Sequence, residues 1–356
     1  MVAVAGGPRE RGRAYGEQAR DRVHRSLALY ENVFRHYTGM RWPAVVDRAG
    51  AFAGPIDDYD VRLLPEIEGI AEGAAVQAED ILVLNVRTEV MFGMASGECT
   101  ALCTRATDRE DAHVLLAQNW DWHPGARETC VLLVEAPHDG PPFVTLVEAG
   151  LLAKCGMNER GIGLAATALT STLDRGEPGV PFHAILRRIL TSDSFDEAVD
   201  AVLAPTRASS GNFLLASRDG RAADLEAAPG GPDEVYRSDG TRLAHANHFL
   251  RPSRGGFKDL ERFDDASTSV SRQAAADTWV SATDERSIDD LLSVLRDHSA
   301  TVCQHADGSG PPETEIETVA TIAMDLTGGS LWVTEGHPCT AAAERFELSS
   351  LVAHAA

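Results

Sequence analysis

The sequence predicts an α+β fold in which two stacked antiparallel sheets are covered by helices. Three observations carry that prediction. The elements run as helices, four or more strands, two helices, strands, two helices and strands. The strands are joined by hairpin turns, which makes the sheets antiparallel, while the helices come in pairs suited to outer layers. The hydrophobic fraction is 44% with five tryptophans, enough apolar sequence to fill the space between such layers.

Taken in order, residues 10–38 read as a helix rich in Arg, Glu and Ala, with Leu27, Leu29, Tyr30, Val33 and Phe34 apolar. Trp42-Pro43 breaks it or begins the next segment. Residues 64–74 read as a second helix, and "AEDILVLNVRTEV" as a third with Asp80 at its N-cap. The chain before Cys99 is therefore expected to be mostly helical. At Cys99 the character changes. "HVLLAQNW", "CVLLVEA", "FVTLVEAG" and "LLAKCGM" are short β-type runs between turn residues. Asn158 to Gly161 turns the last of these into "GIGLAAT". "PFHAILRRIL" and "SFDEAVDAVL" read as helices, the second capped by Ser192 or Asp193. "NFLLASRDGRAADLEAA" is a hairpin around Asp219-Gly220. "RLAHANHFL" is a strand running into a loop. Helices are expected at about 272–281 and 287–298, with Ser287 and Asp290 at near-capping-box spacing. The final hairpin, "TVATIAMDLTGGSLWVTEG", turns at Gly328-Gly329, and residues 305–315 form a surface loop.

With 356 residues the chain suits one large domain or two ordinary ones. Lys and Arg number 32 against 54 Asp and Glu, a formal charge of −22. Such a surface repels phosphate backbones and anionic membranes, so neither nucleic acid nor membrane is an expected partner. The N-terminus has no apolar run behind a basic one, and no stretch reaches the ~18 apolar residues of a membrane span. Six cysteines, at 99, 103, 130, 155, 303 and 339, form no C-x-x-C pair. They read as free thiols of a cytoplasmic protein, mostly small buried hydrophobes. No G-x-G-x-x-G, P-loop, G-x-S-x-G or H-E-x-x-H motif is present, and no cofactor is expected.

Chemistry centres on Cys99. It follows the flexible pair Gly97-Glu98 and opens a strand, a loop-to-strand junction rather than a strand interior. Cleavage between Glu98 and Cys99 would give Cys99 a free α-amine with a pKa near 8, a general base for its own thiol. Cys103, on the same face of that strand, reads as core. "HANH" tempts a zinc reading. However, His245 and His248, three apart on a strand, face opposite sides, and no Cys or acid pair completes a tetrahedral set. No metal is expected.

"GECTAL", "LLAQNWDW", "AHANHF" and the closing "TVATIAMD…LWVTEGHPC" together resemble the N-terminal-nucleophile hydrolases of the acyl-CoA:6-aminopenicillanate (isopenicillin N) acyltransferase type. The resemblance runs from the first helix to the last hairpin. It implies a four-layer αββα sandwich and an inactive precursor that cuts itself between Glu98 and Cys99. The products would be a helical segment 1–98 and a catalytic subunit 99–356, together one globular unit. It further implies Cys99 as nucleophile, Asp121 to manage the new ammonium, and Asn247 as oxyanion donor. Asn119, His245 and Arg272 take supporting positions, Arg272 within the Ser269-x-x-Arg272 block. The fungal family member has a Ser-Arg pair before its last hairpin. Here Glu313, Glu315 and Glu317 stand instead, so an acidic lining suited to a cationic or neutral amine is expected.

The implied function is hydrolysis of a linear amide of a small N-acyl amine through a Cys99 thioester. The alternatives are acyl transfer from acyl-CoA or an amide to an amine acceptor, an uncleaved binding protein of the same fold, and an uncleaved metal hydrolase using "HANH". A small-molecule amide, with acyl-CoA as the donor in the transfer alternative, and the chain's own two subunits are the expected partners. A homo-oligomer is compatible with the sequence.

Overall fold

Strands that are apolar along their whole length must be covered on both faces, and the fold does this with two sheets and two layers of helix. The structure, a computed structural model, describes residues 1–91, 99–105, 112–282 and 287–355. The chain opens with strand β1 (Val2–Gly6) and helices α1 (Pro8–Gln18), α2 (Arg20–Thr38), α3 (Trp42–Ala49), α4 (Ala53–Tyr59), α5 (Leu63–Ala74), α6 (Ala78–Asn85) and α7 (Arg87–Val90). Strands β2 (Cys99–Thr104), β3 (Leu115–Trp122), β4 (Cys130–Pro137), β5 (Phe143–Glu148), β6 (Cys155–Asn158) and β7 (Ile162–Ala168) follow. Helices α8 (Phe182–Leu190) and α9 (Phe195–Leu203) precede β8 (Gly211–Ser217), β9 (Ala222–Ala227), β10 (Val235–Asp239) and β11 (Arg242–His245). The chain continues through α10 (Ser269–Ser281), α11 (Ile288–Leu295), β12 (Glu317–Asp325), β13 (Ser330–Glu335), β14 (Glu344–Glu347) and α12 (Leu348–Ala355).

One sheet has eight strands in the order β1-β4-β5-β6-β7-β8-β9-β10, and the other six in the order β11-β2-β3-β12-β13-β14. Among the described strands, every pairing is antiparallel except β1 with β4. Side chains alternate between faces, and the packing follows that alternation. Leu132, Val134, Val144 and Leu214 of the larger sheet meet Cys103, Leu116, Ile322 and Met324 of the smaller. The opposite face of the larger sheet, with Leu133, Phe143, Leu164 and Phe213, is covered by α2, α5 and α8 through Tyr30, Phe34, Ile67 and Ile185. The opposite face of the smaller sheet, with Leu102, Leu115 and Ala117, carries α10 and α11. The result is the αββα sandwich expected.

Several boundaries differ from expectation. Residues 10–38 form two helices that meet at Ala19, and the first helix packs on α5 through glycine. A Cβ on Gly16 would stand 2.1 Å from the Ile70 carbonyl oxygen, and one on Gly73 2.1 Å from that of Arg13. Backbone-to-backbone contact of that kind directs a short α1 against α5 before the chain turns into α2. β1 was not expected at all; its five residues gain their register only from β4. Asp80 is the third residue of α6 rather than its cap, and its carboxylate accepts the Gln77 N–H at 3.1 Å. The cap of α9 is Ser194, one residue beyond the expected pair, accepting the Glu197 N–H at 3.2 Å. The Ser287/Asp290 box, the Gly161 and Gly220 hairpins and the turn at Gly329 stand where the sequence placed them.

Candidate active site

Cys99 is the first residue of β2 and lies opposite Trp120 of β3. Further along β2, Ala101 and Cys103 point into the packing between the sheets. Cys99 instead faces a pocket lined by Met91, Trp120, Trp122, Lys154 and Phe182. Cys103 is core, as expected.

Side chains from distant elements hold the backbone of Cys99. Its N–H donates to Asn247 Oδ1 at 2.7 Å, and its carbonyl accepts from Arg272 at 2.5 Å. Arg272 also donates to Thr100 Oγ1 at 3.1 Å and to Asn247 Oδ1 at 3.0 Å, so its planar fork fixes both residues at once. Asn247 Nδ2 donates to the Ala168 carbonyl at 3.0 Å. The Asn247 N–H donates to Ser269 Oγ at 2.8 Å, which leaves the hydroxyl proton for His248 Nδ1 at 2.7 Å. Burial, with Arg262 next, lowers the His248 ring to about 4, in keeping with a neutral acceptor. The Ser269-x-x-Arg272 block thus anchors the 246–248 segment to the first turns of α10.

Asp121 is fully buried. Alternation on β3 puts its side chain with Asn119, on the face opposite Trp120. Its carboxylate accepts from Thr318 Oγ1 at 2.6 Å and from Gln304 Nε2 at 3.3 Å. Burial pushes the Cys99 thiol above its ordinary range. Lys154 pulls it down, the Asp121 carboxylate adds to the rise, and the Asp121 N–H and Arg272 oppose it. Lys154 is buried, with Nζ 5.7 Å from the centre of the Trp120 ring and 5.4 Å from that of Phe182. Lys154 sits immediately before β6 and lines the same pocket as the thiol.

The remaining expectations divide. Glu98 lies outside the described residues. Asn119 donates to the Leu295 and Val302 carbonyls, both at 2.8 Å, and accepts from Thr321 at 2.7 Å, so it ties the α11 loop to β3. His245 points at the other sheet, with Nε2 3.1 Å from Glu226 and 4.0 Å from Asp224. Among the described residues, Glu313, Glu315 and Glu317 do not line the pocket. Glu317 is engaged by Arg127 and His337, each at 3.2 Å, and Glu315 accepts the Gly308 and Gly310 N–H groups. Among the described residues, the charged ones lining the pocket are Arg87, Asp121, Lys154 and Asp174. The His245 ring meets Glu226 while the His248 ring takes the Ser269 hydroxyl, so the two are engaged with different partners. Among the described residues, four metal-capable side chains come together elsewhere, at His298, Cys303, His305 and Cys339.

Comparison with known proteins gives three kinds of likeness. A family model described as acyl-coenzyme A:6-aminopenicillanic acid acyl-transferase matches residues 107–339. The chain is 26% identical over 250 residues to the acyl-coenzyme A:6-aminopenicillanic-acid-acyltransferase 40 kDa form of Emericella nidulans, covering 70% of this chain and 69% of that protein. Among solved structures, a conjugated bile acid hydrolase from Clostridium perfringens is similar at a TM-score of 0.43 and 13% identity, over 70% of this chain and 96% of its own. A penicillin V acylase from Agrobacterium tumefaciens is similar at 0.39 and 14%, over 71% and 87%.

Proposed function

The chain belongs to the acyl-coenzyme A:6-aminopenicillanic acid acyl-transferase family, and on that premise we propose that it is a self-processing enzyme of amide bonds whose nucleophile is Cys99. The observation that carries the reading is the grip on Cys99. Its nitrogen is held by Asn247 and its carbonyl by Arg272, beside a pocket, at the first residue of a strand.

In the precursor the Cys99 thiol attacks the Glu98 carbonyl. The S–C bond forms, the C–N bond breaks, and the thiol proton passes to the departing Cys99 nitrogen. Water then hydrolyses the thioester, leaving a Glu98 carboxylate, a free thiol and a free α-amine. Asn247 Oδ1 is already 2.7 Å from that nitrogen, so the new amine keeps a hydrogen bond that orients its lone pair. Substrate turnover repeats the chemistry. The amine takes the thiol proton, the thiolate attacks an amide carbonyl, and the proton returns to the leaving amine. The second Nδ2 hydrogen of Asn247 is the donor for the developing oxyanion. Asp121, close enough to act on Cys99 through its charge, favours the ammonium that forms in each cycle. The apolar wall of Trp120, Trp122 and Phe182 suits an apolar acyl group, with Lys154 at its edge.

Resolution of the thioester by water gives an amidase, and by an amine gives acyl transfer. The second outcome is favoured by the name of the Emericella relative. Denaturing intact-mass spectrometry tests the common core. Wild type is expected as fragments 1–98 and 99–356, and Cys99→Ala as one unbroken chain without turnover. Asn247→Ala should raise the turnover barrier by about 3 kcal/mol. Full activity from an unbroken chain overturns the proposal, and released amine against transferred acyl product separates the two outcomes.

A further inference from the structure

His298, Cys303, His305 and Cys339 come from two separate pieces of chain. His298, Cys303 and His305 lie on the connection from α11 to β12, and Cys339 is on the turn after β13. Their ligand atoms all lie within 4.8 Å of one another. His305 Nε2 is 3.2 Å from His298 Nε2, 3.6 Å from Cys303 Sγ and 3.4 Å from Cys339 Sγ. A tetrahedron with Zn–S of about 2.3 Å and Zn–N of about 2.0 Å has N···N edges of roughly 3.3 Å and S···N edges of roughly 3.5 Å. The three separations from His305 Nε2 lie close to those edges. Hydrogen bonding explains them less well, because three neighbours crowd one ring nitrogen that carries at most one proton.

We propose that these four side chains form a structural zinc site. Two thiolates and two imidazoles are the donor set that selects zinc over magnesium or calcium. Four protein ligands fill the tetrahedron and leave no position for substrate, so the role is structural. The scaffold is in place beforehand. The Cys303 N–H donates to the Asp297 carbonyl at 2.9 Å, and Arg296 Nε donates to the Pro338 carbonyl at 2.9 Å, joining the two contributing pieces. The His305 ring stacks on His337 at 4.0 Å, and His337 in turn meets Glu317. Binding displaces the thiol protons to solvent and changes no oxidation state.

The site lies behind Asp121. Gln304, between two of the ligands, donates to the Asp121 carboxylate, and its N–H donates to Thr318 Oγ1 at 2.9 Å. Thr318 donates to the same carboxylate. Zinc would therefore fix the loop that positions Asp121. The zinc site itself does not depend on the enzymatic reading.

The test uses the full chain, produced without a histidine tag and dialysed against metal-free buffer. Elemental mass spectrometry should find one zinc per chain. X-ray absorption at the zinc edge should find two sulfur and two nitrogen neighbours. Cobalt(II) in its place should give the visible bands of a four-coordinate thiolate complex. Cys339→Ser, at a partly exposed ligand, and His298→Ala, at an exposed one, should each lower zinc to background. If either variant misfolds, the cobalt spectrum of the wild type still decides. Three results overturn the proposal: a reduced wild type that takes up no zinc from excess, zinc with no sulfur neighbour, or a Cys303–Cys339 disulfide in the freshly isolated protein.

Discussion

At the scale of single residues, His245 shows how charge is placed outside the pocket. It reaches from β11, an edge strand of the smaller sheet, to Glu226 and Asp224 on β9 of the larger and ties the two sheets together. Burial opposes the charged ring, but Asp224 and Glu226 outweigh it and lift the ring to about 9. Asp224 also rises, to about 6, because burial and Glu226 outweigh the help from His245. With an unfolded pKa of about 6.5, the His245 contribution is complete below that pH and is lost as pH rises through about 9. The shift corresponds to roughly 3 kcal/mol. Urea unfolding of His245→Gln beside wild type should show a stability gap that is widest near pH 6 and narrows toward pH 9; a constant gap would sink the assignment. Cys99, Asn247 and the Ser269-x-x-Arg272 block could be read from sequence because each stands in a short local pattern. Lys154 and the partners of Asp121 could not. Thr318 and Gln304 lie far along the chain from Asp121, and only sheet pairing and a folded loop bring them there.

At the scale of elements, the contact between α1 and α5 depends on the absence of side chains. Gly12 and Gly16 on one helix, with Gly69 and Gly73 on the other, let the backbones touch. Gly16→Ala would force them apart, since the nearest atom is a backbone carbonyl rather than a flexible side-chain end. A loss of about 1–3 kcal/mol is expected, read as a lower urea midpoint. An unchanged midpoint would mean that the helices separate without consequence. Strands β3 to β5 were readable because each carries a dense run of apolar residues, such as Val131 to Val134 in β4. Neither β1 nor β14, nor the helix α12, gave such a signal. Each is short and owes its conformation to what it packs on: β1 to β4, β14 to β13, and α12 to the inter-sheet core through Leu348, Leu351 and Val352. The break at Ala19 carries no proline or glycine, so the run of helix formers through 10–38 concealed it.

At the scale of the whole molecule, the layers join what the proposed cut would separate. β1 is an edge strand of the larger sheet, and α2 and α5 cover that sheet. Arg11 and Glu66, before the cut, form a fully buried set of ion pairs with Glu135 and Arg187, after it, at 2.6 to 3.2 Å. Tyr30 donates to Glu148, which also takes Arg87 at 2.9 Å. The two fragments should therefore co-elute in native gel filtration and part only in denaturant. Separation under native conditions would contradict that assembly. No helix among the described residues is long and apolar enough to cross a membrane.

That buried quartet also bears on the order of events. Breaking such a set by removing one side strands ions in an oily interior, at about 3–5 kcal/mol for each lost partner. Neither half made alone would have a sound interior to collapse around. A gene divided at the junction should yield insoluble products, whereas the undivided gene yields a working pair. The proposed scission would thus be a finishing step, performed on a molecule that has already settled into shape.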